Sequence, residues 1–145
     1  MYNINMNRTI KSDIKLGEVL ELSVLEKIIK PVFPYAFKVE GLCSEYDLWI
    51  PELNDLYRLY QFIVLNKRTT VMEFGSGWSS LIFNLALQEL KNKFSEKISN
   101  LRRNNPFELF VLENEKKYLN ISRNRVNKFN KYLKIKKPVK ITYCY

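Results

Sequence analysis

Residues Val71–Phe83 read VMEFGSGWSSLIF: a short apolar run closing on a carboxylate, two glycines one residue apart, then the opening of a helix. Gly75 and Gly77 free the main chain to adopt positive φ and leave no Cβ between backbone and ligand. Before them, "TTVMEF" is β-branched and apolar and predicts a buried strand over Thr70–Phe74. After them, "WSSLIFNLALQELKNKF" sets Leu81, Ile82, Leu85, Ala86 and Leu90 on one side of a helix. A strand, a tight turn and a helix start in that order bring backbone N–H groups and the positive end of a helix dipole to one point.

Outward from the turn, helices and strands alternate. "PELNDLYRLYQFIVLNKR" repeats Leu53, Leu56, Tyr57, Tyr60, Ile63 and Val64 at three-and-four spacing. Pro51 suits its first turn, with Glu52 and Asp55 at the start and Lys67 and Arg68 at the end matching the dipole. Upstream, "SDIKLGEVLELSVLEKIIK" predicts a helix ending before Pro31, and "PVFPYAFKVEGLCSEYDLWIP" an irregular aromatic segment. Downstream, "SEKISNLRRNNPF" reads as a polar connection with a short helical piece around Ile98–Arg103. "FELFVLEN" is a second strand, "EKKYLNISRNRVNKFNKYL" a helix stopped by Pro138, and "VKITYCY" a last, edge strand. The order helix, helix, strand, helix, strand, helix, strand predicts an α/β fold with a mainly parallel sheet. Three strands are few for such a sheet, so the chain is expected to be the front part of a larger domain, with exposed edges open to association.

Composition narrows the chemistry. A chain of 145 residues with 46% hydrophobic and 27% charged residues fits one globular domain. No apolar run reaches membrane-spanning length and no signal peptide opens the chain, so a cytoplasmic protein is expected. There is no histidine, and Cys43 and Cys144 stand far apart without metal-ligand spacing. Zinc sites and histidine-based hydrolase triads therefore have no residues to build them, and both cysteines are expected as small buried side chains. No metal site is expected.

The letters around the turn select the ligand. The dinucleotide fingerprint needs a third glycine where this chain has Ser80, and a carboxylate at Glu73 would repel a pyrophosphate. Both features argue against a nicotinamide-dependent oxidoreductase. Glu-x-Gly-x-Gly-x-Ser suits a ligand with an ammonium group and no phosphate. "EFGSGWSS" resembles the first motif of class I S-adenosylmethionine-dependent methyltransferases, with Ser79 at the family's third glycine. "FVLENEKKYL" is similar to the family's second strand, which places its ribose-binding carboxylate at Glu113 and the adenine neighbour at Asn114.

The resemblance covers about Trp49 to Tyr145 and implies a partial Rossmann-like, doubly wound sheet with N-terminal helices. Residues 1–50 would be a helical or irregular extension and 51–145 an incomplete cofactor-binding domain. It further implies Glu73 near the methionine end of S-adenosylmethionine, the backbone of Gly75, Ser76 and Gly77 beneath it, Trp78 flanking, and Ser79 donating at the helix start. The spacing from Gly75 to Glu113 exceeds the roughly 20 residues of a compact unit, an excess assigned to "KFSEKISNLRRNNP". The family's acceptor-binding groups follow the third strand, so no catalytic residue is assigned and the methyl acceptor is unknown.

A reading of another class stands beside this one. The formal charge of +9 suits a small nucleic-acid-binding module using the helix Glu115–Lys134, with Arg123, Arg125, Lys128 and Lys131. A solvated helix face accounts for the same charges. Trp78 could equally be packing, and Trp49, Tyr46 and Tyr57 read as core aromatics.

Overall fold

A computed structural model of the chain describes residues 21–33, 52–100 and 107–145. Their elements are α1 (Leu22–Ile29), α2 (Leu53–Leu65), β1 (Thr70–Phe74), α3 (Trp78–Ser99), β2 (Glu108–Leu112), α4 (Lys116–Tyr132) and β3 (Lys140–Cys144). The fold is α/β, and the alternation expected from the sequence is the one observed. Trp49, Tyr46 and Cys43 lie outside the described residues.

The three strands are parallel in the order β1-β2-β3, with Glu73 level with Val111 and Val111 level with Tyr143. Right-handed crossovers that step the same way across a sheet put their helices on the same face. Helices α3 and α4 therefore cover one face, and α3 touches α2 on one flank and α4 on the other. Fully buried Leu81, Ile82 and Leu87 of α3 meet Leu109 and Val111 of β2 and Phe129 of α4 in this layer. Tyr60 of α2 is also fully buried, and its hydroxyl donates to Glu89 of α3. Helix α1 belongs to the same core: Leu25 and Ile29 are fully buried, and Phe33 meets the Trp78 ring edge-on at 5.2 Å and stacks on Phe129 at 6.4 Å.

Four expectations change. Helix α3 runs through Ser99, so part of the presumed polar connection is helix. Leu87, Leu90, Phe94 and Ile98 recur at helical spacing and pack on the core, which carries the helix past its polar letters. The long spacing between Gly75 and Glu113 is thus taken up largely by a 22-residue helix.

Strand β1 is not buried as a whole: Met72 is 56% and Phe74 79% exposed, whereas Glu73 is 8% exposed. An edge strand with helices on one face hides only the alternate residues that point toward them. Helix α4 keeps its expected extent, ending at Tyr132, but what stops it is a turn in which Lys134 takes φ 53° and not Pro138. Cys144 is exposed with a free thiol rather than buried. Among the described residues, no helix is long and apolar enough to cross a membrane.

Candidate site at the carboxyl end of the sheet

Parallel strands deliver all their carboxyl ends to one edge. The ladder continues one residue past each strand, with Gly75 N–H donating to Leu112 O at 2.7 Å and Glu113 N–H to Cys144 O at 3.0 Å. The glycine turn and the end of β2 are thereby side by side.

Gly75 has φ +91°, a conformation that side chains with a Cβ rarely adopt, and a Cβ built there would meet nothing within 4 Å. The space over the turn is open. Gly77 differs from the expectation of positive φ: at φ 178° it is extended, a geometry open to any residue, and it serves as the N-cap of α3. Its N–H donates to Ser80 Oγ at 3.3 Å, and Ser80 Oγ donates to Glu73 Oε2 at 2.6 Å. Ser79 Oγ donates to the other Glu73 oxygen. Strand end, turn and helix start are tied through one carboxylate, whose charge also complements the N-terminal dipole of α3.

Glu73 is therefore turned inward. Burial raises its pKa, the Ser79 and Ser80 hydroxyls pull it back in part, and the nearby charge of Glu113 adds to the rise. Glu113 is half-buried, accepting from Ser76 Oγ at 2.8 Å and from Glu115 N–H at 3.0 Å. Desolvation pushes its pKa up, but hydrogen bonds from Ser76, from Glu115 N–H and from the Ser76 and Asn114 N–H groups prevail and hold it low. A carboxylate has about four lone-pair positions, so capacity remains for further donors. Asn114 is exposed beside it.

The expected residues thus divide. Gly75, Ser76, Gly77, Glu113 and Asn114 gather around the open turn. Glu73 and Ser79 are engaged with each other beneath it. Trp78 packs between neighbours, with the Arg125 guanidinium 3.9 Å from its ring centroid and Phe33 at its edge. Arg125 is 7% exposed, so it does not belong to a solvent-facing basic surface on α4. Its flat guanidinium is buried by stacking on the indole face.

Two contributors were missed by the reading of the sequence. In the sequence Ser80 stands out only as a missing glycine, yet its hydroxyl is fully buried between Gly77 N–H and Glu73. Tyr143 shares the row and face of Glu73 through Val111. Its hydroxyl is buried without a partner among the described residues, and Arg123 lies 4.7 Å from its ring centroid. Desolvation pushes its pKa up to about 12, with Arg123 lowering and Glu73 raising it. Strand alternation in "KITYC" pairs Tyr143 with inward-facing Ile141, a signal present in the letters once the register is known. Among the described residues, no cluster of His, Cys, Asp or Glu has the makings of a metal site. Comparison of the chain with protein-family models, curated proteins and solved structures returned no match.

Proposed function

We propose that the carboxyl end of β1 and β2 binds S-adenosylmethionine, and that the chain is the cofactor-binding part of a class I methyltransferase-like protein built on a partial Rossmann-like sheet. The observation that carries this reading is the 2.8 Å hydrogen bond from Ser76 in the glycine turn to Glu113, 37 residues away. The two halves of the motif, found separately in the sequence, meet at one open spot.

The residues fit the cofactor with a division of labour. The main chain at Gly75 offers a surface without a Cβ for close approach. Glu113, ionised and half-exposed, accepts the two ribose hydroxyls, with Asn114 beside the adenine. Glu73 holds the turn in shape through Ser79 and Ser80 and supplies negative potential from below without touching the ligand. When bound, the cofactor supplies an electrophilic methyl group on a sulfonium centre. The residues named here bind and orient it, and none is assigned to the acceptor.

Titration calorimetry with S-adenosylhomocysteine tests the proposal. The intact chain should give saturable heat, Glu113→Ala should bind at least tenfold more weakly, and Gly75→Arg should give none. Far-UV circular dichroism of each variant separates lost binding from lost folding. Equal heats from folded Gly75→Arg and the parent chain would remove the site.

A further inference from the structure

The opposite edge of the sheet carries a different chemistry. Parallel strands all begin there, so the α2–β1 turn, the last turns of α3 and the α4–β3 connection converge at the amino end. Contacts tie them together: Lys91 Nζ donates to Lys137 O at 3.2 Å and to Pro138 O at 3.0 Å. The ammonium groups of Lys67, Lys93 and Lys97 surround the Phe94 ring at 5.8, 5.1 and 5.8 Å from its centroid.

These stretches concentrate the charge of the chain. Lys67 and Arg68, three lysines in residues 91–97 and five in residues 131–140 make ten of the 24 Lys and Arg residues. Among the described residues, Glu96 and, at the start of β2, Glu108 stand against them, an excess of eight positive charges. Glu108 is already taken by Lys140 at 2.6 Å, the one ion pair at this edge among the described residues. Glu89, nearer the middle of α3, feels Lys93 but accepts its hydrogen bond from Tyr60.

Cations at helix C-termini are favourable in themselves, but three helix ends supply only about −1.5 elementary charges at roughly −0.5 each. Cation–π attraction accounts for a lysine or two at Phe94 and not for the rest. The three ammonium groups around Phe94 are each within 5.8 Å of one centroid. No two can then be farther apart than about 12 Å, so each pair lies within or only just beyond a Debye length of about 8–10 Å, and repulsion is weakened at the widest spacing but not removed at closer ones. An external polyanion would relieve that repulsion.

We propose that the amino edge of the sheet is a binding surface for the phosphate backbone of nucleic acid. The reading does not rest on cofactor binding, because five residues of strand, about 16 Å, separate this edge from the glycine turn. It also relocates the basic surface expected along α4. Arg125 is stacked on Trp78, and Lys128 lies 5.2 Å from the Phe33 ring centroid, whereas the lysines beyond residue 130 and those around Phe94 form the rim. Backbone neutralisation carries no sequence preference, so the surface anchors the chain on a duplex and does not select a site.

Fluorescence anisotropy of a labelled 20-base-pair DNA duplex with the full chain, between 50 and 200 mM KCl, provides the test. Contact with five or six phosphates gives a slope of log K against log salt of about −5. The triple change Lys67→Gln, Lys93→Gln, Lys97→Gln should reduce the slope by about 2 to 3, and Lys134→Gln with Lys136→Gln by about 2. Lys116→Gln with Lys117→Gln, at the far end of α4, should leave it unchanged. Circular dichroism checks that each variant is folded, and the two independent rim variants keep the test open if one is not. The proposal is overturned if the parent chain fails to bind at 50 mM, if the Lys116/Lys117 pair matters as much as the rim, or if phosphatidylserine vesicles bind more tightly than the duplex.

Discussion

The ends of β1 and β2 lie side by side and treat a carboxylate in opposite ways. At the end of β1, Glu73 points under the helix layer, is 8% exposed, and accepts hydroxyls from the first turn of α3. At the end of β2, Glu113 is half-exposed and held by the turn of its neighbour. Burial raises the pKa of the first, and donated hydrogen bonds lower that of the second. Of these two acidic residues, one builds the turn and the other keeps acceptor capacity at the open side, and under the proposed reading it is the second that meets the ligand. Removing Glu73 should cost stability, and removing Glu113 should cost binding.

The largest expected effect follows directly. Glu73→Ala leaves the fully buried Ser80 hydroxyl and that of Ser79 without their acceptor. It should lower the unfolding free energy by about 2–4 kcal/mol, read as the shift in urea midpoint. Glu113→Ala should change stability by less than about 1 kcal/mol, the scale of a surface substitution. Equal losses in the two variants would erase the distinction between the strand ends.

Next in size is Gly75→Ala. The φ of +91° makes any Cβ residue costly, by about 1–2 kcal/mol, yet the open space adds no clash. Gly77→Ala, at φ 178°, should cost clearly less in the same urea titration. A larger loss at Gly77 would contradict the assignment of conformational need to Gly75.

The dependence of stability on pH sharpens the same contrast, because the two carboxylates shift in opposite directions from 4.5. Folding raises the pKa of Glu73, so the native state binds this proton more readily, and stability falls as pH rises from 4.5 through the folded value. Folding lowers the pKa of Glu113, so its contribution is complete above 4.5 and is lost as pH falls through the folded value. In urea midpoints measured against pH, Glu73→Gln should flatten the decline above 4.5, and Glu113→Gln the loss below it. Glu89, raised chiefly by burial, acts in the same direction as Glu73 and leaves part of that decline in place. The smallest effect is that of Ser76→Ala, which removes one donor to Glu113 and should move its carboxyl resonance to a higher pKa in an NMR titration, at a stability cost below about 1 kcal/mol.

The order of elements and the bounds of β1 were legible because the β-branched and apolar run "TTVMEF" ends at Gly75 and apolar side chains repeat at helical spacing. The pairing of the glycine turn with Glu113 was legible only through the motif it resembles, since nothing local links residues that far apart. The inward turn of Glu73 was not legible: in "TVMEF" the apolar Met72 and Phe74 face out and the charged residue faces in, the reverse of ordinary patterning. What decides it is the placement of α3 over that face, with two serines ready to donate. The continuation of α3 to Ser99 was hidden by polar letters, although Phe94 and Ile98 continue its buried stripe. Clustering of charge at the amino edge needed the topology, because its lysines come from three separate stretches.

The central claim is that the open bend after β1 and the outward carboxylate after β2 form one ligand site. Amide chemical shifts of the isotopically labelled chain, followed while S-adenosylhomocysteine is added, test it most directly. Shifts should gather at Gly75, Ser76, Gly77, Glu113 and Asn114 and spare the lysines around Phe94. Perturbations centred on the amino edge, or none at millimolar ligand with the chain folded, would contradict the account.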